Sequence, residues 1–502
     1  NWMDDEPSAR IIEKGTSTIV EKEFLTLMDS SVINSWGTAY RWDFGDGSSP
    51  QGPFSDSSIS HTYARPGNYQ VRVETTDNWG NRAIGKYLVV RPDCLYYPHV
   101  ATVNDWETEI CIINSSNRST ITGDFKAYAD DGTLVSEIND VVLSPRARRE
   151  ITVGTTFTDP DRIGYIIFTA NSDTIVGYTK FYCSGDYRVA IPAVKELNHD
   201  NIFISHIASD DNWFTGLSLV NVTASARTLF IESDNSLKRT LVLAPGEHKA
   251  LSIRSLFSNQ PQPGIKSAVI RNSAGIIGLE LFGSGQQLSG ILLQDHSTKE
   301  ILYPHVVSTD AWWTGVVAYN CTAEVGRFDF TTFNAAGKIL STVHQNLDGH
   351  DKFMGSITSL GFPETTAWFR IKSSQSMTGF ELFGTSNGLQ LAGYSSIKLS
   401  ATKGVFAKLE KQGFTGIAMV NASSLKARVR LSAYSDDGHM VGSLETINLA
   451  GYEKVVKVVE ELFSSDITNA TYIIYDSDRK IVGFQLNGSN DGMLLDGLPA
   501  LR

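Results

Sequence analysis

Cysteine is nearly absent. Four in 502 residues are too few to staple the fold, which must rest on apolar cores. Cys94, Cys111 and Cys183 lie in one stretch while Cys321 stands apart, so every full pairing would make Cys321 reach across distant sequence. At most one disulfide is expected, among Cys94, Cys111 and Cys183. No apolar run approaches the roughly 18 residues of a membrane-spanning helix, and Asn1 opens on polar, acidic sequence without a leader-like stretch. The expectation is therefore no transmembrane segment, and a chain that begins inside a longer precursor or behind a removed leader. Basic residues are outnumbered, 43 Lys and Arg against 55 Asp and Glu, for a formal net charge of −12. That field repels phosphate backbones and argues against a nucleic-acid partner. Catalytic signatures are missing as well. There is no HExxH, GxSxG, P-loop, GxGxxG or CxxC, so neither an enzyme nor a cofactor is expected.

What the chain does contain is repetition. Trp106-Glu107-Thr108-Glu109-Ile110, Trp213-Phe214-Thr215-Gly216-Leu217, Trp313-Thr314-Gly315-Val316 and Gly413-Phe414-Thr415-Gly416-Ile417 each run into an apolar strand that stops at an Asn. Aligning Glu109, Gly216, Gly315 and Gly416 gives spacings of 107, 99 and 101 residues, and Gly177, Gly278, Gly379 and Gly483 give 101, 101 and 104. Two independent markers with one period indicate a tandem array. With 41% hydrophobic and 20% charged residues, folding into several units is expected, since a single core stops growing near about 250 to 300 residues. Within a repeat, short apolar runs alternate with turn residues every eight to twelve positions, the pattern of a sandwich. In the third repeat the expected strands are Ile301 to Val307, Gly315 to Asn320, Phe328 to Phe333, Lys338 to Val343, one from Lys352, Ala367 to Ile371, Thr378 to Gly384 and Leu389 to Tyr394. Polar connectors at Lys195 to Asn201, Asp295 to Glu300 and Lys398 to Lys403 are short and lack flexible composition, so neighbouring repeats should hold a preferred orientation. An elongated or curved array is expected, with a closed ring as the alternative.

The segment ahead of the repeats carries Trp42-Asp43-Phe44-Gly45-Asp46-Gly47, His61-Thr62-Tyr63, Gly67-Asn68-Tyr69-Gln70-Val71-Arg72-Val73 and Thr76-Asp77-Asn78-Trp79-Gly80-Asn81, in that order. Together these elements, over residues of about 8 to 92, resemble a PKD domain, an immunoglobulin-like β-sandwich of bacterial and archaeal surface proteins and secreted hydrolases. The resemblance implies an extracellular spacer or binding module. The repeats, with Tyr303-Pro304-His305, Trp312-Trp313-Thr314-Gly315 and Gly379-Phe380-Glu381-Leu382-Phe383-Gly384 as examples, are similar to Ig-like repeats found in tandem in secreted bacterial proteins. The expected fold class is all-β: five Ig-like β-sandwich domains at 1–92, 93–197, 198–297, 298–401 and 402–502.

Four sets of residues are candidates for chemistry. The loop aromatics Trp106, Trp213, Phe214, Trp312, Trp313 and Phe414 can anchor a partner or seal successive units; recognition is expected to rest on them. His99, His206 and His305 share a repeat position, which would suit a metal if the repeats formed a ring, but Phe406 breaks the pattern and packing against the neighbouring Trp is the simpler role. Asp43, Asp46 and Asp77 offer oxygens to calcium, or cap turns. Glu280, Glu381 and Gln485 share a strand position expected to face solvent. Sequons at Asn114, Asn117, Asn221, Asn320, Asn421, Asn469 and Asn487 read as Asx turns rather than glycan sites. The function expected is a non-enzymatic, extracellular or cell-surface bacterial protein of structural or adhesive type. Its partner would be a protein or polysaccharide surface, or sister copies. The alternatives are the accessory spacer of a secreted hydrolase and the subunit of a polymeric layer or filament.

Overall fold

In the computed structural model the described residues are 11–14, 24–29, 39–45, 48–56, 58–62, 67–76, 82–91 and 93–502, except 184, 199, 286, 296 and 399. Two units emerge. The first takes in Asn1–Cys94 with Thr169–Asp173 and Val222–Ala224, and the second takes in the rest.

In the first unit, alternation of apolar residues in Ala39–Asp43 and Gly67–Thr76 puts Tyr40, Trp42, Val71 and Val73 inside, as a half-buried strand pair requires. Gln51–Phe54, Ala39–Asp43, Gly67–Thr76 and Arg82–Arg91 form one antiparallel sheet, and Ile11–Lys14, Phe24–Asp29 and Ser58–Thr62 form another. Phe44 lies flat on His61 with ring centroids 3.7 Å apart.

The second unit carries the repeats, each an antiparallel sandwich. In the first repeat the strands Leu134–Leu143, Ile121–Tyr128, Tyr165–Ala170 and Asp93–Tyr97 make one sheet; Arg148–Thr152, Trp106–Asn114, Ile175–Cys183 and Tyr187–Pro192 make the other. The third repeat has the expected strands in the expected order, with shifted ends such as Thr298–Tyr303 for Ile301 to Val307 and Ile339–Leu347 for Lys338 to Val343, and with one larger difference. The two strands expected over residues 367 to 384 are a single strand, Trp368–Thr385, which pairs with both Gly326–Phe333 and Trp312–Asn320 and so joins the two sheets. Lys372 to Ser376 contain no Gly or Pro to break the extended backbone.

The repeats are not strung out in a line. Tyr187–Pro192, Gln287–Leu292, Leu391–Ser395 and Leu495–Pro499, the last strands of successive repeats, pack first on second, second on third, third on fourth, and fourth on first. Within this unit the repeats therefore close into a ring. The physical reason lies in the second strand of each repeat. Ile417 and Met419 face the fourth repeat's own core. Cys111 and Ile113, on the first repeat's second strand, enter a cluster with Val405, Ala407, Tyr472 and Leu501 of the fourth. A strand apolar on both faces needs cover on both, and only a neighbouring repeat can supply the second. Three further clusters seal the remaining junctions.

Turns complete the contacts. Gly132, Gly337 and Gly438 sit at φ of 83°, 81° and 88°. A Cβ there would strike Gly246, Gly451 and Pro145 of the next repeat in the ring, so glycine is needed for both conformation and approach.

Candidate functional site

The tryptophan loops are built by a threonine. Thr108, Thr215 and Thr314 each accept from and donate to the backbone of a residue seven positions earlier, Ala101, Ala208 and Val307. This pins the loop across the start of the second strand. Trp106 then stacks on Tyr187 at 5.6 Å and joins the cluster between the first and second repeats. Trp213 and Trp313 join the cluster between the second and third. Phe214 and Phe414 stay 43% and 37% exposed, and Trp312 is half-buried. Phe214, Trp313 and Phe414 each lie over a cross-strand glycine, Gly283, Gly384 and Gly488. A side chain there would displace the ring.

The histidines meet basic residues of the next repeat. Arg148, His248, Lys352 and Lys454 open the same strand in the four repeats. Lys352 Nζ donates to His206 Nδ1 at 2.8 Å, and Lys454 Nζ to His305 Nδ1 at 2.8 Å. Burial, then the neighbouring Lys352, pushes His206 down to about 3; burial and Lys454 push His305 well below its ordinary value. Among the described residues no group of three or more His, Cys, Asp or Glu is placed to hold a metal ion.

Glu280, Glu381 and Gln485 do not face solvent, contrary to the sequence expectation. All three are fully buried, because the sheet face they occupy is covered by the next repeat. Burial raises Glu280 to about 8 despite Lys352 nearby, and among the described residues neither of its oxygens finds a hydrogen-bond partner. Glu381 is raised as well, and accepts from the Tyr394 hydroxyl. Sequence reading missed these buried acids, although the recurring basic residue at one strand start was visible in all four repeats.

The junction of the first and second repeats holds an arrangement that no motif search would find, because its members come from two repeats. Ser218 Oγ lies 2.9 Å from His248 Nε2, and His248 Nδ1 lies 2.7 Å from Asp130 Oδ1. The order of residue types is that of a nucleophile, base and orienting acid. The polarity is wrong for attack. Ser218 Oγ also lies 2.6 Å from the Pro98 carbonyl, which only accepts, so the hydroxyl proton goes there and is not offered to His248. Ser218 is 3% exposed. His99, 3.4 Å from His248, is held down to about 3 by burial and by that second ring. The arrangement ties repeats together.

Of the remaining candidates, Asp43 accepts from the Gly45 amide at 3.0 Å, a turn contact, while Asp46 and Asp77 lie outside the described residues. Cys94, Cys111, Cys183 and Cys321 all carry thiols. Cys111 pairs across the strands with Tyr178, and Cys183 with Trp106; five residues of strand, roughly 16 Å, separate them, beyond disulfide reach. Burial lifts the Cys111 thiol to about 12. On the ring axis a cavity of about 310 Å³ is lined by all four repeats, with Lys195, Gln294, Lys398 and Arg502 at its polar side. Lys195 donates to the Ile175 carbonyl and Lys398 to Gln294.

The PKD-domain family model matches residues 23–89. Among solved structures the chain is similar to the PKD1 domain of the Vibrio cholerae metalloprotease PrtV. The identity is 24%, over 17% of this chain and 96% of that one, with a TM-score of 0.14. It is similar to the PKD1 domain of Vibrio anguillarum Epp at 22% identity, 17% and 94% coverage and a TM-score of 0.14. A tetra-tandem repeat in the extending region of a large adhesion protein aligns over 99% of both chains at 10% identity, with a TM-score of 0.13. At these TM-scores the structural likenesses carry no argument. No curated protein matches the chain. Among the described residues no helix is long and apolar enough to cross a membrane.

Proposed function

We propose that the chain is a non-enzymatic, extracellular structural and adhesive protein. A PKD-like unit accompanies a rigid four-repeat ring that attaches to a protein or polysaccharide surface through Phe214, Trp312 and Phe414. The observation that carries this reading is the division of the aromatic column. Trp106, Trp213 and Trp313 are spent on junctions, while Phe214 and Phe414 remain at the surface, seated flat on glycine. Rigid rings already held in place lose little entropy on contact, which suits them as anchors. The polar constellations that would suggest catalysis are instead absorbed in holding repeats together, which supports a structural role.

The test is retention on insoluble polysaccharide and on bacterial cell surfaces, measured for the chain and for Phe214→Ala/Phe414→Ala. The expected result is retention by the parent, loss of roughly tenfold or more in the variant, and an unchanged melting temperature. Equal retention of the two would remove the aromatics from any binding role.

A further inference from the structure

Three of the four junctions in the ring follow a peptide connector. The fourth, between the last repeat and the first, is closed by non-covalent contacts alone. Beside the apolar cluster already described, it carries a set of ion pairs. Arg148 reaches Asp436 at 2.9 Å, and its Nε donates to the Ala407 carbonyl. Lys408 bridges Glu109 and Glu150 at 3.3 and 2.7 Å. Arg188 pairs with Glu410 at 3.0 Å and Asp496 at 2.5 Å, and donates to the Asn487 carbonyl. Except for Glu150 and Asp436, these side chains are largely buried. The Arg148–Asp436 pair occupies the place that His248 and Asp130 take at the next junction, but three other residues of the lock are absent from the same positions elsewhere. Glu109 stands where the other repeats have Gly216, Gly315 and Gly416; Arg188 stands where they have Leu288, Leu391 and Leu495; Asp496 stands where they have Val189, Ser289 and Ala392. One face belongs to the first repeat alone and its complement to the fourth alone.

Buried ion pairs contribute selectivity more than net affinity, because desolvation offsets their attraction, and an unmatched charge is costly. These two faces therefore reject the other repeats and accept each other. Nothing in the contacts distinguishes a fourth repeat of the same chain from that of another, and the interface is heterologous, so it can join copies head to tail.

We propose that this junction is an exchangeable clasp. The first repeat of one copy seats on the fourth repeat of a second copy through the same ion pairs, so that two chains close reciprocally into a dimer. Closure within one chain dominates in dilute solution, where the effective concentration of its own partner face is high. Exchange takes over as protein concentration rises.

Two experiments on the full chain test this. Arg146 and Tyr434 face each other across the clasp, with the guanidinium 5.6 Å from the ring centroid. The variant Arg146→Cys/Tyr434→Cys is refolded at a series of concentrations, treated with a bis-maleimide long enough to span the gap left by the two side chains, and run denatured. Cross-linked monomer is expected in dilute samples, with a dimer-to-monomer ratio that rises in proportion to concentration. Monomer alone at every concentration, or no cross-link at all, overturns the proposal. In the second experiment Arg188→Glu and Glu410→Arg/Asp496→Arg are each denatured, then refolded separately and together. Each altered face meets its complement only on the other chain, so a one-to-one mixed dimer is expected by native mass spectrometry, and little of it from either variant alone. Only monomers in the mixture, closed or unfolded, overturn the proposal.

Discussion

At the scale of single residues the most informative position is the Asn that ends the second strand. Asn114, Asn221, Asn320 and Asn421 are fully buried, and each amide donates to three backbone carbonyls. Asn421, for example, holds Leu425, Leu449 and Ala450 at 2.7, 3.3 and 2.8 Å. The Asx turn expected from sequence is present, with Oδ1 accepting from Ser423 N at 3.1 Å. The other half of the role was not legible, since two of the three acceptors lie 28 and 29 residues away. Replacing Asn421 by Asp leaves an acceptor where a donor is needed. With about 1 kcal/mol per lost bond and a penalty for stranded carbonyls, a loss of roughly 3 kcal/mol is expected. Denaturant unfolding checks it, and a midpoint within error of the parent would refute the assignment. Expressed in a host that glycosylates sequons, the four buried Asn should remain unmodified.

At the scale of elements, strands and hairpin turns were legible because alternation and turn residues are local signals. The face of a strand was not. Glu280 and Glu381 look like solvent-facing residues when one repeat is considered alone, and only the neighbouring repeat buries them. The tandem Trp312-Trp313 shows the same limit. Sequence could not separate the two, yet Trp313 fills the 2–3 junction and covers Gly384 while Trp312 stays at the strand start. Trp313→Ala should cost roughly 2 kcal/mol, below the 3 to 5 of a fully buried Trp. Trp312→Ala should leave stability within about 0.5 kcal/mol and weaken attachment instead. Thermal unfolding alongside retention measurements on the two single variants checks the split, and equal loss of stability in both would contradict it.

At the scale of the repeat unit, ring closure was the feature hardest to read, because its contacts join residues as far apart as Arg188 and Glu410, and no spacing announces them. Closure has a titration consequence. His99, His206 and His305 are buried at the first three junctions with pKa values below the ordinary 6.5. A depressed folded-state pKa gives stability that is present above about 6.5 and is lost as pH falls toward the folded value. Glu280, near 8, and Glu381 are shifted the other way, above the ordinary 4.5, so each lends stability as pH falls from its raised folded value toward 4.5. Below pH 6.5 Lys352, near 8, and Lys454, near 7, are mostly protonated, and Asp130, held below its ordinary value, stays ionised. Between pH 6.5 and 5, Glu280 thus offsets His206 and Glu381 offsets His305, while His99 has no such counterpart. One uncompensated group corresponds to at most about 2 kcal/mol over that range, so the parent should lose stability only gently on acidification. Glu280→Gln removes one counterweight and should steepen the fall by a further 2 kcal/mol or so, whereas His206→Gln should flatten it. Melting temperatures of the three proteins across that range decide the matter, since parallel profiles would mean that these buried groups do not titrate against one another at the junctions.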